Sequence, residues 1–153
     1  MSRTLLLIIA GAGSAALLAG AFAFQYLGGL APCPLCLWQR WPHAAAIGIA
    51  ALAVAVPGRL LPSFGAIAAL TTAGIGVYHT GVERAWWQGP DTCTSSPMGE
   101  ISAKDLLGQI MDAPLIRCDD VAWEMLGLSM ASWNVVLSLG LAGIWLLAMR
   151  RRV

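Results

Sequence analysis

Four cysteines offer this sequence its chemistry. Cys33-Pro34-Leu35-Cys36 is a CxxC, and Cys93 and Cys118 follow, well separated. Four cysteines allow three pairings. Closeness in sequence makes Cys33–Cys36 the natural pair and leaves Cys93 with Cys118. A CxxC at a helix start suits redox work, because the helix N-terminus favours the thiolate. Pro34 fits the first turn of such a helix. Arg40 comes four residues after Cys36, so the two share a helix face. An arginine this close to a bilayer core is a functional candidate, for a thiolate or a polar headgroup on a ligand. Snorkelling to lipid phosphate is its ordinary alternative. His43 is read only as an ordinary histidine bonded to a neighbouring helix.

Two duller readings compete with thiol–disulfide exchange. Zinc on four thiolates typically uses paired short spacings, and only half of that pattern is present, so no metal is expected. A structural framework gains little from CxxC, which closes a tiny loop and constrains little of the unfolded chain. Two disulfides at one face instead suggest a relay, from a soluble dithiol protein through both pairs to an acceptor. The sequence has no GxGxxG after a strand and no CxxCH. The simplest acceptor at a membrane boundary is a lipid-soluble quinone.

The elements that position these residues follow from composition. The chain has 153 residues, 58% hydrophobic and 11% charged. Soluble domains carry about 25% charged residues, so lipid must solvate much of this chain. It is read as one membrane domain, residues 1–153. The class is all-α: an antiparallel bundle of four transmembrane helices near 5–28, 36–56, 61–82 and 132–149. Each is a charge-poor run close to the roughly 20 residues that a span needs. The alternative for the first run is a cleaved signal peptide, which Arg3 and Ala21-Phe22-Ala23 would fit. Residues 83–131 form a long outer loop. Ser102 and Asp105 open a short amphipathic helix there, which Pro114 ends. That helix could lie on the membrane or pack on the bundle ends.

Charge orients the bundle. Arg3, Arg59 and Arg150-Arg151-Arg152 share one side without an acid, whereas all eight acidic residues fall between Glu83 and Glu124. The positive side should be cytoplasmic, with both termini. The four cysteines then face outward, into a compartment where disulfides form. Trp38, Trp41, Trp86, Trp87 and Trp133 fall at span ends, where amphipathic rings belong. No basic patch suggests nucleic acid.

With these residues in hand, the sequence resembles the DsbB family of bacterial disulfide bond formation proteins over nearly its whole length. The resemblance rests on Cys33-Pro34-Leu35-Cys36-Leu37-Trp38-Gln39-Arg40, on Tyr78-His79-Thr80 and on Gln88-Gly89-Pro90-Asp91-Thr92-Cys93. It extends to Cys118-Asp119-Asp120 with Trp123 and Leu126-Gly127-Leu128-Ser129-Met130. It implies a thiol:quinone oxidoreductase in the bacterial inner membrane, with its cysteines on the periplasmic side. A reduced DsbA-like thioredoxin-fold partner would attack the Cys93–Cys118 disulfide at Cys93. Cys118 would then exchange with Cys33, releasing Cys36 as the thiolate that faces ubiquinone or menaquinone. Arg40 and His79 would contact the quinone. DsbA-type donors sit near about −120 mV, so the acceptor must be more oxidising still. Vitamin K epoxide reductase-like proteins share the chemistry, but their loop pair precedes the CxxC. The non-enzymatic rival is a tetraspan protein with structural disulfides.

Overall fold

A computed structural model of the chain describes residues 1–90 and 117–151. Cys93 and the short helix expected from Ser102 lie outside these residues. Four helices form the described structure: α1 (Arg3–Tyr26), α2 (Pro34–Ala55), α3 (Leu60–Glu83) and α4 (Met130–Arg150). Each starts within two residues of its sequence expectation. Local caps set the bounds: Ser2 accepts from the Leu5 N–H, Cys33 from Cys36 and Ser129 from Ser132. The Ser129 cap brings the last helix forward to Met130.

Three of the helices, α1, α3 and α4, are long and apolar enough to cross a membrane. The expectation of four spans is therefore met by length and composition for three. The fourth, α2, has 22 residues, yet carries Gln39, Arg40, Pro42 and His43 in its first half. Those polar residues lower its hydropathy. The chain is a multi-pass membrane protein, and many large apolar side chains face outward on these helices, including Ile8, Leu52, Phe64, Ile67, Leu70 and Val136. Such surface suits lipid and not water.

The helices form a ring in which α1 packs on α2, α2 on α3, α3 on α4 and α4 on α1. Contacts at the two ends show that neighbours run antiparallel. Arg3 donates to the carbonyls of Ala53 and Gly58 at 3.1 and 2.8 Å, joining the start of α1 to the end of α2. Ser63 and Met149 join α3 and α4 at that same end. The opposite end gathers Cys33, His79, Glu83 and Ser129.

The two halves of the bundle differ. The Arg3 half is packed closely by Leu6, Leu7, Ala10, Ala46, Ala50, Ala53, Ala66, Ala69 and Ala148 around Trp145. Small residues let membrane helices approach closely. Gly65 shows this best, since a Cβ there would lie 2.5 Å from the Trp145 ring. Trp145 is fully buried and has no room to retreat. Gly65→Ala is expected to cost about 1–3 kcal/mol, by overpacking. Thermal unfolding in detergent checks this; an unchanged midpoint contradicts it. The other half holds buried polar side chains such as Gln39, His43 and His79, beside a cavity with mostly apolar walls.

One element departs from the all-α expectation. Glu124–Met125 and Leu128–Ser129 pair as a small antiparallel hairpin, with Glu124 opposite Ser129. Its turn residues Leu126 and Gly127 both have positive φ, 55° and 75°, as a type I′ turn requires. With Leu in place of Asn or Asp at the first turn position, the sequence lacks the usual signal for it. The hairpin delivers Ser129 to the head of α4.

Candidate active site

The site is built on the start of α2. Cys33 is its N-cap and Pro34 occupies the first turn. The Cys33 sulfur accepts from the Cys36 backbone N–H at 3.2 Å. Its S–H donates to the Cys36 sulfur at 2.8 Å. Cys33 is buried, Cys36 partly buried, and both are free thiols. The Cys33 thiol is pushed up, first by this hydrogen bond to Cys36 and then by burial. Of the two sulfurs, Cys36 is thus the one arranged to stand without its proton, at the end of the helix where negative charge is favoured.

Cys118 is 1% exposed and packs in one cluster with Cys33, Leu35 and Val82, with Cys36 against it. It is disulfide-bonded, and neither Cys33 nor Cys36 is its partner. The structure therefore brings three of the four candidate cysteines together. Outside the bundle, Arg117 donates to both carboxylate oxygens of Asp119 at 2.9 and 2.6 Å. That hydrogen bond holds the Asp119 carboxyl below its ordinary range.

His79, near the end of α3, is buried beside the CxxC. Its Nε2 lies 3.6 Å from the Cys33 sulfur and 3.8 Å from Glu83 Oε1. The Cys118 backbone hydrogen-bonds the same ring. Glu83 is one turn further along α3, and its other oxygen accepts a hydrogen bond from Ser129. His79 Nδ1 meets the side-chain nitrogen of Gln39 at 3.0 Å. Gln39 is held in turn by Asn134 at 2.7 Å, and Asn134 meets His43 at 2.9 Å.

Arg40 shares the α2 face of Cys36, as the spacing implies, and reaches across to α1. It donates to Gln25 at 2.6 Å and to the Ala21 carbonyl at 3.4 Å, and lies over the Phe22 ring. These contacts hold it inside the bundle and argue against simple snorkelling. Its Nε is buried, with no partner among the described residues. A cavity of about 630 Å³ is lined by residues of all four helices and of the adjoining loops. Cys33, Cys36, Arg40, His79 and Glu83 line it, together with apolar residues such as Leu17, Phe24, Trp123 and Leu137.

Sulfurs of Cys33 and Cys36 and a nitrogen of His79 lie within 4.8 Å of one another. Soft donors so close could take a thiophilic cation. A histidine ligand needs a bare nitrogen, however, and the Gln39 amide nitrogen, which also meets the Leu35 carbonyl, faces Nδ1 and leaves the proton of a neutral ring to the Nε2 beside the sulfurs.

The sequence reading did not find Gln25, Gln39, Glu83, Ser129 or Asn134. A polar residue inside an apolar span is the signal that could have found Gln25, Gln39 and Asn134.

The family profile described as "Disulfide bond formation protein DsbB" matches residues 2–148. The protein named Disulfide bond formation protein B of Dechloromonas aromatica is 33% identical, over 93% of this chain and 89% of its own length. Its namesake from Stutzerimonas stutzeri is 32% identical, over 96% and 94%. That of Methylococcus capsulatus is 36% identical, over 87% and 85%. A buried CxxC beside a third, disulfide-bonded cysteine, in a multi-pass membrane bundle matched from end to end, places the chain in the DsbB family of disulfide bond formation proteins.

Proposed function

We propose that the chain is a thiol:quinone oxidoreductase that reoxidises a DsbA-like periplasmic protein of thioredoxin fold. The observation that carries this reading is the packing of Cys118 against Cys33 and Cys36, two cysteines that line a largely apolar cavity. The DsbA–DsbB–quinone couple is a known means of keeping the bacterial periplasm oxidising. In this reading all four helices span the inner membrane, both termini are cytoplasmic and the cysteines are periplasmic, the orientation that the charge asymmetry favours.

Residues of this chain fit a quinone. The cavity has apolar walls for the ring and tail, a fixed guanidinium, and a buried Arg40 Nε with no partner among the described residues. A bound quinone supplies a sink for two electrons and two protons. The donor dithiol attacks at Cys93, and its disulfide forms as Cys93 and Cys118 are reduced. Cys118 then attacks Cys33, which breaks the Cys33–Cys36 bond, leaves Cys36 as the thiolate and joins Cys118 to Cys33. Cys93 attacks Cys118 in turn, which re-forms the Cys93–Cys118 disulfide and releases Cys33 as a thiol. Closing Cys33–Cys36 would then deliver two electrons and two protons to a bound quinone. Arg40 orients the ring oxygen and offsets its developing charge.

Two measurements test this. Adding ubiquinone to protein with reduced Cys33 and Cys36 should convert that pair to a disulfide, read by the mass of alkylated peptides. A pair that stays reduced defeats the reading. Gln25→Leu removes a partner of Arg40, and a hydrogen bond to a charged group contributes about 1.5–3 kcal/mol. The variant is expected to raise the KM for quinone roughly ten-fold with little change in KM for the donor protein. An unchanged quinone KM would show that Gln25 does not hold Arg40 for binding.

A further inference from the structure

The amides between α2 and α4 have a fixed sense. Gln39 Nε2 lies 3.2 Å from the Leu35 carbonyl, which can only accept. The nitrogen is therefore correctly placed there, and Gln39 Oε1 faces Asn134. Asn134 Nδ2 faces the Thr72 carbonyl at 3.5 Å and Thr72 Oγ1 at 3.1 Å. Thr72 Oγ1 gives its own proton to the Gln39 carbonyl at 3.1 Å, so it accepts from Asn134. Turning either amide over would set oxygens against carbonyl oxygens. Two independent carbonyls thus decide an assignment that heavy atoms alone leave open.

The consequence reaches His79. Gln39 donates to Nδ1, so Nδ1 carries no proton, and a neutral ring must carry it on Nε2. The surroundings of Nε2 agree from the other side. The Cys33 sulfur at 3.6 Å and Glu83 Oε1 at 3.8 Å are both acceptors.

We propose that Gln39 and Asn134 are positioning residues that hold His79 in its Nε2–H tautomer, making the ring a hydrogen-bond donor to the Cys33 sulfur. With the Cys36 backbone N–H, this gives Cys33 two N–H donors. Donors to a sulfur favour its charged form. The proposal deepens the thiol:quinone reading, in which Cys33 must lose its proton and supply the electron pair that closes the bond to Cys36. The two electrons released go to the quinone, and the two thiol protons with them. Around this pair stand Cys36 on α2, Glu83 on α3 and the Cys118 backbone, with Arg40, Arg117 and Asp120 elsewhere on the cavity wall.

Nitrogen NMR of histidine-labelled protein tests the proposal without quinone or partner, so it can fail while the reaction stands. The wild type should show a protonated Nε2 and a bare, hydrogen-bonded Nδ1 at His79. Gln39→Met should give a mixture of tautomers. Ser138→Ala, which removes a different bond to Asn134, should leave His79 unchanged. In a Cys36→Ser background, the Cys33 Cβ resonance followed against pH reads its ionisation. Adding Gln39→Met should raise the midpoint by about one pH unit, a ten-fold loss of thiolate at a given pH below it. A merely structural Gln39 would lower thermal stability without moving either readout. A wild-type ring protonated at Nδ1 overturns the proposal even where the variants fail to fold. So does a Gln39→Met protein with His79 and Cys33 unaltered.

Discussion

Cys36→Ser is expected to lose quinone reduction by on the order of 10³-fold or more, as removal of an essential nucleophile does. The same protein should still form a mixed disulfide with its dithiol donor. The two effects separate because the cysteines differ in place. Cys36 lines the cavity and receives the Cys33 proton in a hydrogen bond at 2.8 Å, so it is the sulfur arranged to carry charge toward a ligand. In the proposed relay, Cys93 and Cys118 belong to the step before. A serine at position 36 keeps the shape of the helix start but cannot form or break a disulfide. Stopped-flow quinone absorbance measures the loss, and non-reducing gels measure the mixed disulfide. Turnover at the normal rate would refute the order of the relay.

Cys118→Ala is expected to accumulate the covalent complex with the donor, and this is the second large effect. In the proposed relay, attack at Cys93 frees Cys118, which lies in one buried cluster with Cys33 and passes the electrons inward. Alanine at 118 leaves Cys93 a lone thiol, so the complex forms when Cys93 attacks the disulfide of the oxidised donor and releases one of its thiols. A donor linked to Cys93 then has only its own second thiol as an exit. The mass of the trapped species identifies both the donor and the entry cysteine. A complex mapped to Cys33 or Cys36 would reverse the direction of transfer.

Much of the bundle was legible in the sequence because lipid imposes a simple requirement. A span must be long and apolar, and its backbone bonds must close within it. Arg3, Arg59 and Arg150 marked one end correctly: Arg3 and Ser63 tie the helices together there. Cys33 and Pro34 were legible as a helix start because capping is local chemistry. What the sequence hid is relational. Gln39, Asn134 and Thr72 are far apart in the chain, and each alone reads as a tolerated polar residue. Only their shared burial gives them a donor and acceptor order. Glu83 looked like the edge of the outer loop, yet it sits on the last turn of α3 under Ser129. His43 was read as an ordinary buried histidine and does bond Asn134, but it also lines the cavity. The hairpin before α4 escaped because Leu126 lies in a conformation that leucine seldom adopts.

The central claim is that thiols of a soluble partner are oxidised at the expense of a membrane quinone through this chain. Purified protein in detergent or lipid, given a reduced DsbA-like protein and ubiquinone, measures it most directly. The expected result is one hydroquinone formed for each donor disulfide, with none formed when either the dithiol donor or the chain is left out. Donor disulfides appearing without hydroquinone, or no thiol-dependent loss of quinone at all, would contradict the account.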